Sequence, residues 1–512
     1  MSRKTKRTKT KKANLKLLGI YFISGLIWLL AAIFHVVCDW SKERYGVGLN
    51  ELVYTLASPL KGADTSIVSD ALQDCLPLVL KKFIPFIFLV FIDAIIRVTI
   101  KIIVKIKEKR ISINLAYIYR LVVCITSFVF MYRSIMYVDE KYELFNYIEM
   151  RRTATTIYEN YYVDPEDVDI VLEGEEKNLI LIYMESMEST YASVEEGGYQ
   201  EINYIPNLTK IAQEEISFSD GDKIGGAKPL TGTTWTMGAL FASSAGIPFS
   251  FPVEGNSMGA RKEFASGVTT LGDILEEKGY NQEFLCGSDA TFAGRKEFYE
   301  QHGDYKVFDY YTAIEEGYIE EDYFVWWGFE DEILYDIAKD EITELAKKNM
   351  PFNFTMLTVD THFVDGYVCE LCNDKYDDVA ANVISCADCQ IAEFIEWCKL
   401  QEWYDNTVIV IVGDHKRMDE ALVENIEQSE REIYNCFINT KDINVQTANR
   451  VFTAIDIFPT IMGAMGYSFE GDRLGLGTNL FSGRQTLAEE LGYDILNEEV
   501  GKHSNYYIKH FN

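Results

Sequence analysis

Apolar and polar positions divide this chain into two regions of different rhythm. In residues 1–138, three long and nearly unbroken apolar stretches alternate with short charged segments. The first, LKLLGIYFISGLIWLLAAIFHVVC at 15–38, is longer than the ~20 residues that cross ~30 Å of hydrocarbon. It ends in bulky Val36 and Val37 rather than in the small residues of a cleavage site, so it is read as a retained anchor and not as a removable signal peptide. The other two spans are expected at about 78–104 and 113–138. The basic tail 1–14 and the basic loop KIKEKR at 105–110 belong on the cytoplasmic side by the excess of Lys and Arg, and three crossings then put residues 139–512 outside. Asp93 and Arg97 fall four apart in the second span, a spacing that suits an ion pair on one helical face.

The remaining residues show short periods. Residues 139–176 are rich in Tyr, Glu and Asp without a clear apolar period and are expected to form a juxtamembrane helix and linker. From 177 to 481, short continuous apolar runs alternate with helical patterns. NLILIYM (178–184), FTMLTV (354–359) and TVIVIV (407–412) read as strands buried on both faces, and 271–278, 331–348 and 387–400 read as helices. This alternation predicts an α/β domain with a mainly parallel sheet covered on both sides, followed by a tail at 482–512.

Charge separates the same two regions. Residues 1–138 carry 21 Lys+Arg against 8 Asp+Glu, whereas the rest carries 27 against 71, within a net charge of −31. The acidic outer region would repel nucleic acid and attract cations.

The candidate chemistry sits where the apolar runs stop. NLILIYM leads into Glu185, TVIVIV leads through Gly413 into Asp414 and His415, and FTMLTV leads into Asp360, Thr361 and His362. Parallel sheets bind their ligands beyond the carboxyl ends of the strands. Two carboxylates and an imidazole converging there suit one divalent ion with mixed O and N ligands, such as Mn2+, Mg2+ or Zn2+. Between these runs lies GGAKPLTGTTWTMGALFASSAGIP (225–248), glycine- and threonine-rich at first and then apolar and helical. A Thr at that helix start could be a nucleophile or simply a cap; Thr233 follows Gly232 directly, and Thr236 lies one turn later. Downstream, Cys369-x-x-Cys372 and Cys386-x-x-Cys389 pose a choice between disulfides and zinc. Outside a membrane, disulfides are the first expectation, paired Cys372–Cys386 and Cys369–Cys389.

Taken together, LIYMES, GTTWTMGALFASSAGIP, FAGRKEFYEQHG, VDTHFVDG and VIVIVGDH resemble the phosphoglycerol transferases of the alkaline phosphatase/sulfatase superfamily. The likeness is to membrane transferases that decorate periplasmic glucans and, more distantly, to lipoteichoic acid synthases. NELVYTLASPLKGA (50–63) adds to it. The resemblance implies a multi-pass protein of a bacterial cell membrane with its catalytic domain extracytoplasmic. It implies metal ligands Glu185, Asp414, His415 and the nucleophile, Thr233 with Thr236 as runner-up. Arg295 would hold the substrate phosphate, and His362 would act at the phosphoglycerol site. Phosphatidylglycerol would be the donor, a glycan or glycerophosphate polymer the acceptor, and a phospho-threonine the intermediate. The synthases place a Trp two residues before the Arg, where this chain has Ala293. A phosphoethanolamine transferase, or a hydrolase of the same superfamily, is the alternative; the C/S-x-P-x-R run of sulfatases is absent from the sequence.

Overall fold

The computed structural model describes residues 3–45, 49, 66–107, 113–250, 264–348, 350–440 and 445–511. The segment 50–63 singled out above lies outside them. The chain divides into two compact units.

The N-terminal unit is built on three long helices, α1 (Arg3–Tyr45), α2 (Ser66–Lys107) and α3 (Ile113–Tyr142). Each contains a segment long and apolar enough to cross a membrane: Gly19–Lys42, Ala71–Ile96 and Ile118–Tyr142. Their outward residues are apolar, as in Phe22, Phe88 and Phe128, while small and aromatic side chains fill the interior. Trp28 packs against Phe86 and Phe130 and donates its indole N–H to the Lys82 carbonyl at 2.9 Å. Asp93 is fully buried and faces Arg120 of α3 at 3.9 Å. Its described ion-pair partner therefore comes from another helix; the side chain of Arg97 lies outside the described residues.

The second unit is centred on a seven-stranded sheet. Its strands are β1 (Asn178–Met184), β2 (Gly226–Ala227), β3 (Asn281–Cys286), β4 (Lys306–Phe308), β5 (Phe352–Leu357), β6 (Thr407–Gly413) and β7 (Ile433–Ile438), in the order β2-β7-β6-β1-β5-β3-β4. The five from β6 to β4 are mutually parallel, and β7 is antiparallel to both its neighbours, so the sheet is mixed and mostly parallel. The continuous apolar runs have a simple cause: every residue of β1 and β6 is buried. Leu179, Leu181 and Tyr183 face one core with α4 (Thr236–Ala245) and α8 (Ile457–Ala464). Ile180, Ile182 and Met184 face the other, with α6 (Asp331–Ala346) and α7 (Val379–Lys399).

Two expectations change. Residues 157–172 of the expected linker and much of the expected tail 482–512 contribute to the domain core. Ile157, Tyr158, Leu487, Leu496, Val500, Tyr507 and Phe511 are buried in the first cluster. Tyr158 packs edge-on against Tyr507 at 5.3 Å, and Thr155 N–H donates to the His503 carbonyl. Sparse aromatic anchors do this without an apolar period, which is why periodicity missed them.

Candidate active site

Parallel strands present their carboxyl ends on one edge, and three of those ends converge. Glu185 follows β1, and Asp414 and His415 follow β6. All three are buried, and their ligand atoms lie within 4.8 Å of one another. Gly413 makes the approach possible, because a Cβ there would stand 2.0 Å from the Met187 carbonyl oxygen. The turn after β1 can then fold over the end of β6. Ser186, at φ 52°, donates its N–H to Asp414 Oδ1 at 2.7 Å and its hydroxyl to Glu185 Oε1 at 2.7 Å. Thr358 accepts from Glu185 N–H at 3.0 Å, and Thr361 donates its hydroxyl to the Glu185 carbonyl.

The donor set fits a cation. His415 Nδ1 lies 2.6 Å from the Lys416 carbonyl, which can only accept, so Nδ1 carries the hydrogen. In the neutral ring the Nε2 lone pair then points among acceptors, 3.4 Å from Glu185 Oε1 and 3.4 Å from Asp414 Oδ2. Asp414 Oδ2 is buried and accepts no hydrogen bond. Burial, and then the Glu185 charge, push Asp414 up to about 7. Burial acts on Glu185 in the same direction, but His415, His362 and the Ser186 hydroxyl outweigh it and hold that carboxyl below its usual value. Converging lone pairs with a buried carboxylate pair are what a divalent ion with mixed O and N ligands requires.

The threonines separate. α4 begins at Thr236. Gly232, at φ 89°, starts a turn in which Thr233 N–H and hydroxyl both reach the Leu230 carbonyl at 3.0 Å. Thr233 is fully buried there. Thr236 is partly exposed, and its Oγ1 lies 3.3 Å from Glu185 Oε2 and 3.3 Å from His415 Nε2. The runner-up is thus the threonine beside the acidic cluster, and the preferred Thr233 is turned into backbone.

Arg295 opens α5 (Arg295–Gln301), beyond the end of β3. Its Nη2 donates to Ser288 Oγ at 3.1 Å and to the Asp289 carbonyl at 3.0 Å, while its buried Nε–H has no hydrogen-bond partner. The guanidinium lies over the Phe292 ring at 5.6 Å. Phe292 packs on Trp327 at 5.7 Å, and Trp327 on His362 at 4.7 Å. His362 donates from Nδ1 to the Phe363 carbonyl at 2.7 Å, and burial lowers its basicity, so its neutral form offers Nε2 as an acceptor.

Sequence reasoning missed Trp327, although the Trp326–Trp327 pair in an acidic stretch was a usable signal. It also missed Arg417 in the run GDHKR. The Arg417 guanidinium pairs with Asp419 and donates to the Thr361 carbonyl at 3.3 Å. Its backbone N–H donates to Glu188 at 2.8 Å, and Glu188 in turn pairs with Arg431. Among the four cysteines, Cys369, Cys372 and Cys386 converge, whereas Cys389 is exposed and has Asn207 at 3.9 Å. No bond joins any two of these four sulfurs in this structure, and of the expected pairs Cys372 and Cys386 lie within 4.8 Å of each other.

The Sulfatase family matches residues 177–467, more than half of the chain and all of the elements that carry the site. The chain belongs to the sulfatase family. This bears out the resemblance carried by the motifs. Among curated relatives, phosphoglycerol transferase I of Citrobacter koseri is 31% identical over 339 residues, 64% of this chain and 42% of that protein. Phosphoglycerol transferase I of Escherichia fergusonii is 32% identical over the same shares. The chain therefore spans less than half the length of the curated relatives it matches. Among solved structures, the lipoteichoic acid synthase LtaP of Listeria monocytogenes superposes with a TM-score of 0.47 at 21% identity, covering 61% of this chain and 79% of that one.

Proposed function

We propose that this sulfatase-family chain is a membrane-anchored, metal-dependent transferase. In this reading it moves glycerol phosphate from phosphatidylglycerol to a hydroxyl of a cell-envelope glycan or polymer, with Thr236 as nucleophile. The observation that carries the reading is the Thr236 hydroxyl, 3.3 Å from both Glu185 and His415 at the start of a helix. The N-cap residue of that helix, Trp235, makes no side-chain cap, which leaves first-turn N–H groups available to a phosphate. Support for a phosphoglycerol donor comes from the names of the 31–32% identical relatives. Support for a lipid donor comes from three helices able to cross a membrane.

Thr236 Oγ1 attacks the phosphorus of the donor. The Oγ1–P bond forms, the bond from phosphorus to the diacylglycerol oxygen breaks, and the released oxygen takes up the proton that Thr236 gives up. A glycerophospho-threonine remains. An acceptor hydroxyl then attacks the same phosphorus, the P–Oγ1 bond breaks, and Thr236 regains its proton. His362 Nε2, held as an acceptor by the Nδ1 contact, takes the proton from the acceptor hydroxyl. Arg295, with an uncommitted Nε–H, binds phosphoryl oxygens. A divalent ion held by Glu185, Asp414 and His415 would supply Lewis-acid stabilisation of phosphoryl charge and raise the acidity of the Thr236 hydroxyl.

The test uses the full chain in detergent with Mn2+ and phosphatidylglycerol carrying a fluorescent acyl chain. Release of labelled diacylglycerol by the wild type, abolished in Thr236→Ala, is the expected result. Release that survives Thr236→Ala and is lost in Thr233→Ala would overturn the nucleophile. Turnover of phosphatidylethanolamine alone would replace the donor.

A further inference from the structure

The cysteine cluster lies outside the chemistry proposed above, and its geometry carries an independent conclusion. Cys369 and Cys372 belong to the segment that runs on from β5 through His362, and Cys386 lies in the second turn of α7. The three side chains come from two elements, yet Cys369 Sγ stands 3.5 Å from Cys372 Sγ and 3.6 Å from Cys386 Sγ, and all three sulfurs fall within 4.8 Å of one another. A tetrahedral zinc site with Zn–S bonds of about 2.3 Å has sulfur–sulfur edges of about 3.8 Å. A disulfide would use two of these sulfurs and give the third no role, whereas a cation uses all three.

The surroundings select for positive charge. Cys369 and Cys386 are each only 6% exposed. Asp331, Asp360 and Glu332 lie within electrostatic reach of Cys369. Asp360 Oδ2 is itself buried without a hydrogen-bond partner. A dication supplies the positive charge that three sulfurs packed among acidic groups call for. Gln390, one turn after Cys386 on α7, donates its amide N–H to Cys386 Sγ at 3.5 Å. An amide donor on a sulfur is the outer support that a metal-bound thiolate requires. Three protein sulfurs leave the fourth corner of a tetrahedron to a water or a carboxylate.

We propose that Cys369, Cys372 and Cys386 bind one zinc ion, which clips the segment carrying His362 onto α7. The site is separate from the Glu185–Asp414–His415 group and does not depend on which reaction that group serves. Gly366, at φ 91°, shows how tightly the segment is folded back. A Cβ there would stand 2.7 Å from the Asp360 carbonyl oxygen and 2.8 Å from Val383 of α7.

The test is metal analysis of the full chain in detergent, purified without chelator, combined with thiol counting by alkylation and mass spectrometry. The expected result is about one zinc per chain that is lost in Cys386→Ser and retained in Cys389→Ser and in Asp414→Asn. Should Cys386→Ser fail to fold, cobalt substitution of the wild type gives the same answer: thiolate-to-cobalt charge-transfer absorption is expected and must be absent after thiol alkylation. A disulfide joining any two of the three cysteines in the isolated protein would overturn the site. So would three free thiols with no cysteine-dependent zinc and no charge-transfer band.

Discussion

The hydroxyl of Thr236 lies 3.3 Å from Nε2 of His415, while the hydroxyl of Thr233, three residues earlier, is spent on the Leu230 carbonyl. Under the proposed mechanism Thr236→Ala lowers diacylglycerol release by about 10³-fold or more. Thr236→Ser keeps measurable turnover. Thr233→Ala lowers thermal stability by about 1 kcal/mol through the lost turn hydrogen bond, with kcat within a few-fold of wild type. Steady-state kinetics beside thermal melts of the three variants separate these outcomes.

Under the proposed metal assignment, the orphaned Oδ2 of Asp414 couples metal binding to stability. EDTA is expected to lower both activity and Tm of the wild type, and Mn2+ to restore them. In Asp414→Asn the buried repulsion with Glu185 is relieved, so the metal-free protein melts higher than the metal-free wild type, and added Mn2+ no longer moves Tm. Melts with and without Mn2+ check this; a full Mn2+ response in Asp414→Asn would contradict the ligand assignment.

Arg295 is anchored through Nη2, leaving its Nε–H uncommitted. Lysine keeps the charge but loses the planar fork, so Arg295→Lys is expected to cost about 10–100-fold in kcat/KM, roughly 1.4–2.7 kcal/mol. A loss of the same size for Arg295→Lys and Arg295→Met would show that the charge does not matter.

Glu283 on β3 is nearly fully buried, 3.4 Å from Lys306, which also pairs with Glu341. Burial, and then the Glu341 charge, push Glu283 up to about 8. Between the ordinary carboxylate value of about 4.3 and this raised value, the folded chain keeps a proton that the unfolded chain has released. Stability is therefore expected to fall as pH rises through that window and to level off above about 8. Glu283→Gln should flatten the fall, as read from Tm at several values of pH; an unchanged slope would refute it.

Glu188 is fully buried and joins Arg431 to the backbone of Arg417. Removing its charge in Glu188→Gln leaves a buried guanidinium unpaired, an expected cost of about 3–5 kcal/mol. Since Arg417 also reaches the Thr361 carbonyl, activity should fall further than the melt alone explains. Kinetics well below the variant's Tm test this.

Much of this protein is legible without coordinates. Long apolar spans and fully buried strands write themselves as unbroken apolar runs, and strand ends in a parallel sheet must share an edge, so Glu185, Asp414 and His415 follow from pattern and topology. The start of α4 does not, because both Thr233 and Thr236 suit a helix start, and the turn set by Gly232 decides which one faces the cluster. The terminal segments were equally hidden: Tyr158 and Tyr507 are buried through contact with each other, which no local period records.

The sequence by itself determined the two-region plan, the mainly parallel sheet and the residues able to hold a cation, because these depend on burial and on residue chemistry along one strand or span. The tertiary structure alone decided which threonine faces Glu185 and His415, that Arg120 faces Asp93, and that three of the four cysteines converge while the fourth points to solvent. Each of those depends on side chains from separate elements meeting within a few ångströms, and such distances are set by packing across the core rather than by spacing along the chain.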